Sequence, residues 1–160
     1  MLKNTKFFSI LALVLFSLNS FSQVIGVGIN TDDPKSTLDI NGNLSIKTAT
    51  VNGGPSGSAA QITDQGVYIS LNANGSNNDF AVPNPVLVPG RIYILRNIST
   101  TNTAFLLTTG TTTTTGKFFA KNSSSPSEGS GGVAVINMPA NGDAKSIILV
   151  SDGANWTYFF

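Results

Sequence analysis

Beyond residue 22, no stretch of this chain repeats its apolar residues at helical spacing over about 10 or more positions. That absence constrains the fold more than any other feature. Apolar side chains recur instead at every second position, in short runs that end at Gly, Asn, Asp or Pro. Ile25, Val27 and Ile29 alternate with Gly26 and Gly28, and Val67, Ile69 and Leu71 repeat the pattern. Period two puts successive side chains on opposite faces of a strand, and the punctuating residues are turn formers. The chain is therefore expected to be all-β.

Residues 1–22 obey a different logic. Lys3 and Lys6 give a positive start, Phe7 to Leu18 is almost continuously apolar, and small residues at Ser20 and Ser22 precede Gln23. This is the pattern of a secretory leader cleaved between Ser22 and Gln23. Its apolar run of about 12 residues is shorter than the roughly 20 a spanning helix needs. The expected localisation is export through Sec to the cell surface or beyond, with no membrane span in the mature chain. The sequence has no Cys, so neither a disulfide nor a lipidated cysteine can hold it. Loss of Lys3 and Lys6 takes the net charge from +1 to about −1, which gives nucleic acid no basic patch to bind.

The mature chain of about 138 residues suits one domain with an extension. Its beginning, "GVGINTDDPKSTLDINGNLSI" (26–46), predicts three short strands around Ile25–Ile29, Thr37–Ile40 and Leu44–Ile46. Thr31-Asp32-Asp33-Pro34 turns the first into the second. A three-residue loop, Asn41-Gly42-Asn43, would set Ile40 opposite Leu44 and Leu38 opposite Ile46, making one face wholly apolar. So small a unit cannot close a core. Its apolar face must pack on the downstream domain or on copies of itself. Residues 23–50 form this segment, and the Gly/Ser/Ala-rich 51–61 read as a linker.

Residues 62–160 predict about eight further strands at spacings of roughly 8–15 residues, the sign of an antiparallel β-sandwich or jelly-roll-like head. Arg91 to Ile98 is the most apolar and is expected to be buried on both faces. Ile147 to Val150 and Trp156 to Phe160 form a closing hairpin.

Motifs for chemistry fail on inspection. "GTTTTTGKF" (110–118) has one residue too many between its glycines for a phosphate loop, and Phe118 stands where Ser or Thr should hold magnesium. Asp39, Asn41 and Asn43 have calcium-loop spacing, but Leu44 and Thr50 occupy the Gly and Glu positions. With no His and no Cys, Ser-His-Asp and Cys-His catalysis and histidine-ligated metals are impossible. The close acidic pair Asp32-Asp33 sits in a turn. No cofactor and no enzymatic activity are expected. The one Trp, Trp156, and the Asn/Thr-rich loops offer stacking and hydroxyl-bonding groups for a glycan.

The opening motif resembles the "(V/I)GIGTxxPxxxLDVNGN(I/L)" segment of phage tail-fibre-like and bacterial surface fibre proteins. The matching residues are Val27, Gly28, Ile29, Thr31, Pro34, Leu38, Asp39, Ile40, Asn41, Gly42, Asn43 and Leu44, with Asn30 in place of the usual Gly. "SIILVSDGANWTYFF" is similar to the closing hairpin of several fibre-tip β-domains. The resemblance implies a homotrimer. Val27, Gly28, Ile29, Pro34, Leu38, Ile40, Asn41, Gly42 and Leu44 would then form a short stalk whose apolar face two symmetry mates bury. The function expected is that of an exported, non-enzymatic structural or adhesive surface protein that meets a surface glycan or an envelope protein. The alternative is a secreted monomeric carbohydrate-binding β-sandwich, which requires an exposed Trp156.

Overall fold

The computed structural model describes residues 26–129 and 133–160. The expected leader, its expected cleavage point at Ser22 and Gln23, and Ile25 lie outside the described residues. The chain divides into two compact units between Ser45 and Ile46.

In the N-terminal unit, β1 (Val27–Ile29) and β2 (Leu38–Ile40) run parallel, with Val27 opposite Leu38 and Ile29 opposite Ile40. The ladder continues at both ends, from Val27 N to Thr37 O and from Asn41 N to Ile29 O. The expected third strand is absent: Leu44 to Ile46 have no strand pairing, so Ile40 does not face Leu44. Glycine explains the preference. A Cβ on Gly26 would lie 2.5 Å from Ser36 O, and one on Gly28 would lie 2.3 Å from Thr31 O. The 30–37 loop thus folds tightly against β1 and delivers β2 to its side. Asn30 turns the chain at φ +56°, and its carbonyl accepts from Asn41 Nδ2.

The C-terminal unit holds two sheets. One runs in the order β10 (Phe118–Ala120), β13 (Trp156–Phe159), β12 (Ser146–Ser151), β8 (Ile92–Asn97), β6 (Tyr68–Asn72), β3 (Thr48–Asn52). The other runs β11 (Val135–Met138), β9 (Ala104–Thr108), β7 (Asn77–Val82), β4 (Gly54–Pro55), with β5 (Ala60–Gln61) also on β7. From β6 to β12 each successive strand belongs to the other sheet. β8 returns in this way parallel to β6, and β9 parallel to β7, whereas β11 returns antiparallel to β9. The sheets are therefore mixed and not antiparallel as expected. The excursion supplies the long crossover that a parallel pair requires. The closing hairpin of β12 and β13 is antiparallel, with Ser151 opposite Trp156.

The segment read as linker is built into the sheets. β3 is an edge strand, and β4 and β5 flank β7. The glycines that suggested flexibility are there because backbones meet: a Cβ on Gly53 would stand 2.2 Å from Asn77 O, and one on Gly54 2.1 Å from Ser58 O.

Both sheets feed one core. Ile69, Leu71, Tyr93, Leu95, Phe118, Ile147, Leu149 and Trp156 come from the first, and Phe80, Val82, Ala104, Leu106, Ile136 and Met138 from the second. β8 buries only one face, that of Tyr93, Leu95 and Asn97. Ile92 and Arg96 on the other face are exposed, which corrects the expectation of a strand covered on both sides. The buried polar groups are paired through both local and long-range bonds. Asn97 Nδ2 donates to Asn102 O and Met138 O, its Oδ1 accepts from Ser99 N, and Ser151 Oγ donates to Pro85 O.

Candidate functional surfaces

Three surfaces stand out. The first is the β1–β2 ribbon. In a parallel register, paired residues project to the same side, so Val27, Ile29, Leu38 and Ile40 share one face. Val27, Ile29 and Leu38 are exposed, at 62%, 47% and 56%. The opposite side carries Gly28 and Asp39. Asp39 Oδ2 accepts from Lys35 N, and Asp33 pairs with Lys35. These carboxylates shape the turn around Pro34. Of the motif residues, Pro34 lies beside Gly26, Gly42 sits close to the Asn30 amide, and Asn41 is tied to Asn30. Leu44 is outside the ribbon and exposed.

The second surface is the outer face of the six-stranded sheet. Register aligns Phe159, Ile148, Ile94, Tyr68 and Thr48 in one row across five strands. Phe119, Thr157, Val150 and Ile92 form the neighbouring row. Ile92, Ile148 and Phe159 are exposed. A sheet with one solvated face normally alternates apolar-in with polar-out; here these two outward rows are largely apolar, while the row of Ser146, Arg96, Ser70 and Thr50 is polar.

The third surface is a groove of about 580 Å³ on the five-stranded sheet. The register sets Asn137, Phe105 and Asp79 side by side on β11, β9 and β7, and Val135 beside Leu107. Ser56 and Ser76 lie at its border. Asn78 lines it too. Its Nδ2 donates to Gly75 O, while its buried Oδ1 meets no donor among the described residues. Sequence reasoning missed this groove, because its polar and aromatic members come from three strands whose pairing, parallel between β7 and β9, leaves no local signal.

Trp156 belongs to none of these surfaces. It is fully buried, its ring 5.8 Å from that of Tyr93 and its Nε1 3.1 Å from Pro83 O. No sugar ring can stack on it in this fold, so the glycan role read from the sequence is corrected. Its partner Tyr93 donates to Thr63 O at 2.6 Å, and burial pushes its hydroxyl pKa up. Arg91 pairs with Asp64 at 2.8 Å, and that hydrogen bond raises its pKa further.

The Thr-rich 110–116 stretch is a loop closed on itself, with Thr112 N donating to Thr115 O, and it leads into β10 rather than a helix. Among the described residues, no group of three or more His, Cys, Asp or Glu is placed to hold a metal. No helix among them is long and apolar enough to cross a membrane.

Fold and surfaces together define an all-β protein of two mixed sheets preceded by a small parallel ribbon. Compared with family models, curated proteins and solved structures, the chain matches none.

Proposed function

We propose that this is an exported, non-enzymatic structural and adhesive surface protein. Its N-terminal segment associates as a homotrimer and carries a β-sandwich-like head. The observation that carries the reading is the exposed apolar face of the β1–β2 ribbon. A pair of three-residue strands has no stability of its own, and leaving Val27, Ile29 and Leu38 in water forgoes about 1.5–3 kcal/mol for each fully buried side chain. Association of copies offsets that cost. The glycine-permitted turn makes the ribbon a specific shape, which a fibre segment needs and a linker does not. The apolar rows on the outer face of the six-stranded sheet offer the same association a second surface.

Sedimentation of the exported chain and of a variant carrying Ile29→Asp with Leu38→Asp tests the reading. A trimer that the double variant converts to monomer is the expected result. A trimer that survives the double variant unchanged removes the ribbon from the account.

A further inference from the structure

We propose that the groove on the outer face of the five-stranded sheet binds a neutral pyranose, with Phe105 as the stacking platform. This deepens the adhesive reading by naming the ligand class, and it does not depend on how many copies associate.

The argument starts from register. Asn137, Phe105 and Asp79 occupy one row on adjacent strands. Neighbouring strands lie about 4.8 Å apart, which sets the amide and the carboxylate about 10 Å from each other with the phenyl ring between them. Phe105 is 36% exposed, so part of its ring meets solvent. Leu107 and Val135 extend the apolar floor by one pair. A pyranose has an apolar face of C–H groups and a rim of hydroxyls. Seated on Phe105, it would turn that face to the floor and its rim to Asp79 on one side and Asn137 on the other.

The charge pattern selects among ligands. Among the described residues, no Lys or Arg lines the groove, and Asp79 is its one ionisable group. Phosphate, sialic acid and uronic acids would find no cation and one like charge. An acyl chain would leave the carboxylate and amides facing hydrocarbon. A neutral sugar satisfies both halves of the lining: a carboxylate can accept from two hydroxyls at once, and an amide can both donate and accept.

Calorimetric titration of the whole exported chain with lactose, cellobiose, mannobiose and glucuronate tests the proposal. Saturable binding of at least one neutral disaccharide, and none of glucuronate, is expected. Asp79→Asn should weaken it at least about 10-fold, since a hydrogen bond to a charged group contributes about 1.5–3 kcal/mol. Phe105→Ala should weaken it by at least as much, and Phe105→Tyr should retain it. Asn137→Ala alters an exposed position and keeps the test valid should Phe105→Ala fail to fold; it too should bind more weakly. Absence of binding for all three disaccharides, or binding that Asp79→Asn and Asn137→Ala leave unchanged, overturns the proposal. The Ile29→Asp, Leu38→Asp chain should bind with the same affinity per site, so a failed groove and a failed association give separate results.

Discussion

The indole Nε1 of Trp156 donates to the carbonyl oxygen of Pro83 at 3.1 Å. This bond joins the first residue of the last strand, in one sheet, to the segment that leaves β7, in the other. It gives Trp156 two separable contributions, ring packing against the shared core and one hydrogen bond across it. Trp156→Phe removes the bond and part of the ring, leaving Pro83 O only the 3.4 Å contact from Thr108 Oγ1, and should cost about 1–3 kcal/mol. Trp156→Ala should cost about 3–5 kcal/mol through the cavity. Urea unfolding followed by circular dichroism reads both. A loss under about 0.5 kcal/mol for Trp156→Ala, the range of ordinary surface substitutions, would contradict its place in the core.

Asn97 holds two carbonyls, Asn102 O at 2.8 Å and Met138 O at 2.9 Å, through a single amide nitrogen in a fully buried position. Asn97→Asp exchanges that donor for an acceptor and buries a charge, so it should destabilise more than Asn97→Ala. The alanine variant itself should lose about 2–4 kcal/mol for the unpaired groups it leaves. Parallel denaturation curves at neutral pH give the order, and the reverse order would contradict the assigned bonding.

Tyr93 makes stability depend on alkaline pH. Burial raises its hydroxyl pKa above the ordinary 10.0, and the bond to Thr63 O requires the proton. Above that ordinary value the unfolded chain loses the Tyr93 proton while the folded chain keeps it, so unfolding becomes progressively favoured as pH rises. The Tyr93 contribution is full below pH 10.0 and should fall beyond it, until the folded group also ionises. Tyr93→Phe should flatten this part of the profile. An equal slope in the two proteins would show that Tyr93 does not cause it.

Gly53 separates a linker from a packed strand connection. Its Cα faces Asn77 O so closely that a Cβ would sit 2.2 Å away. Gly53→Ala should therefore destabilise by about 1–3 kcal/mol, as overpacking does. Gly57→Ser changes a residue with open space around it and meets only the φ penalty of about 1 kcal/mol. Thermal melts of the two variants should separate accordingly; equal melts would return 51–61 to the status of a spacer.

What the sequence made legible follows from locality. The strands around Ile69, Leu95, Leu149 and Trp156 announce themselves because alternation is a property of neighbouring residues. Which strand lies beside which is not local. β6 and β8 are parallel neighbours although β7 intervenes in the chain, and nothing in Tyr68–Asn72 points to Ile92–Asn97. The same limit hid the row of Asn137, Phe105 and Asp79. Gly53 and Gly54 misled for another reason: glycine chosen for close backbone approach reads like glycine chosen for flexibility. At Gly26 and Gly28 the close approach also decided that Leu38–Ile40 would pair with β1 and not with Leu44–Ile46. Trp156 offered a sugar platform or a core residue, and a lone Trp in a terminal strand is more often core, which is where the fold puts it. The exposed apolar face of Val27, Ile29 and Leu38 was legible in outline, as an apolar surface too small to bury itself.

The outer face of the six-stranded sheet also bears on association. Ile94→Lys with Ile148→Lys alters outward positions in one row and should leave the fold of a single copy intact. If that face meets other copies, the double variant should lose association on dilution sooner than the unaltered chain, as read by sedimentation at matched concentrations. Identical dilution curves would limit association to the ribbon.

The central claim is that copies of this chain complete one another. The most direct test is the mass of the unaltered chain from residue 23 onward, measured by light scattering over a range of concentrations. The account predicts three times the mass of one chain, held on dilution. A mass equal to one chain at every concentration would contradict it.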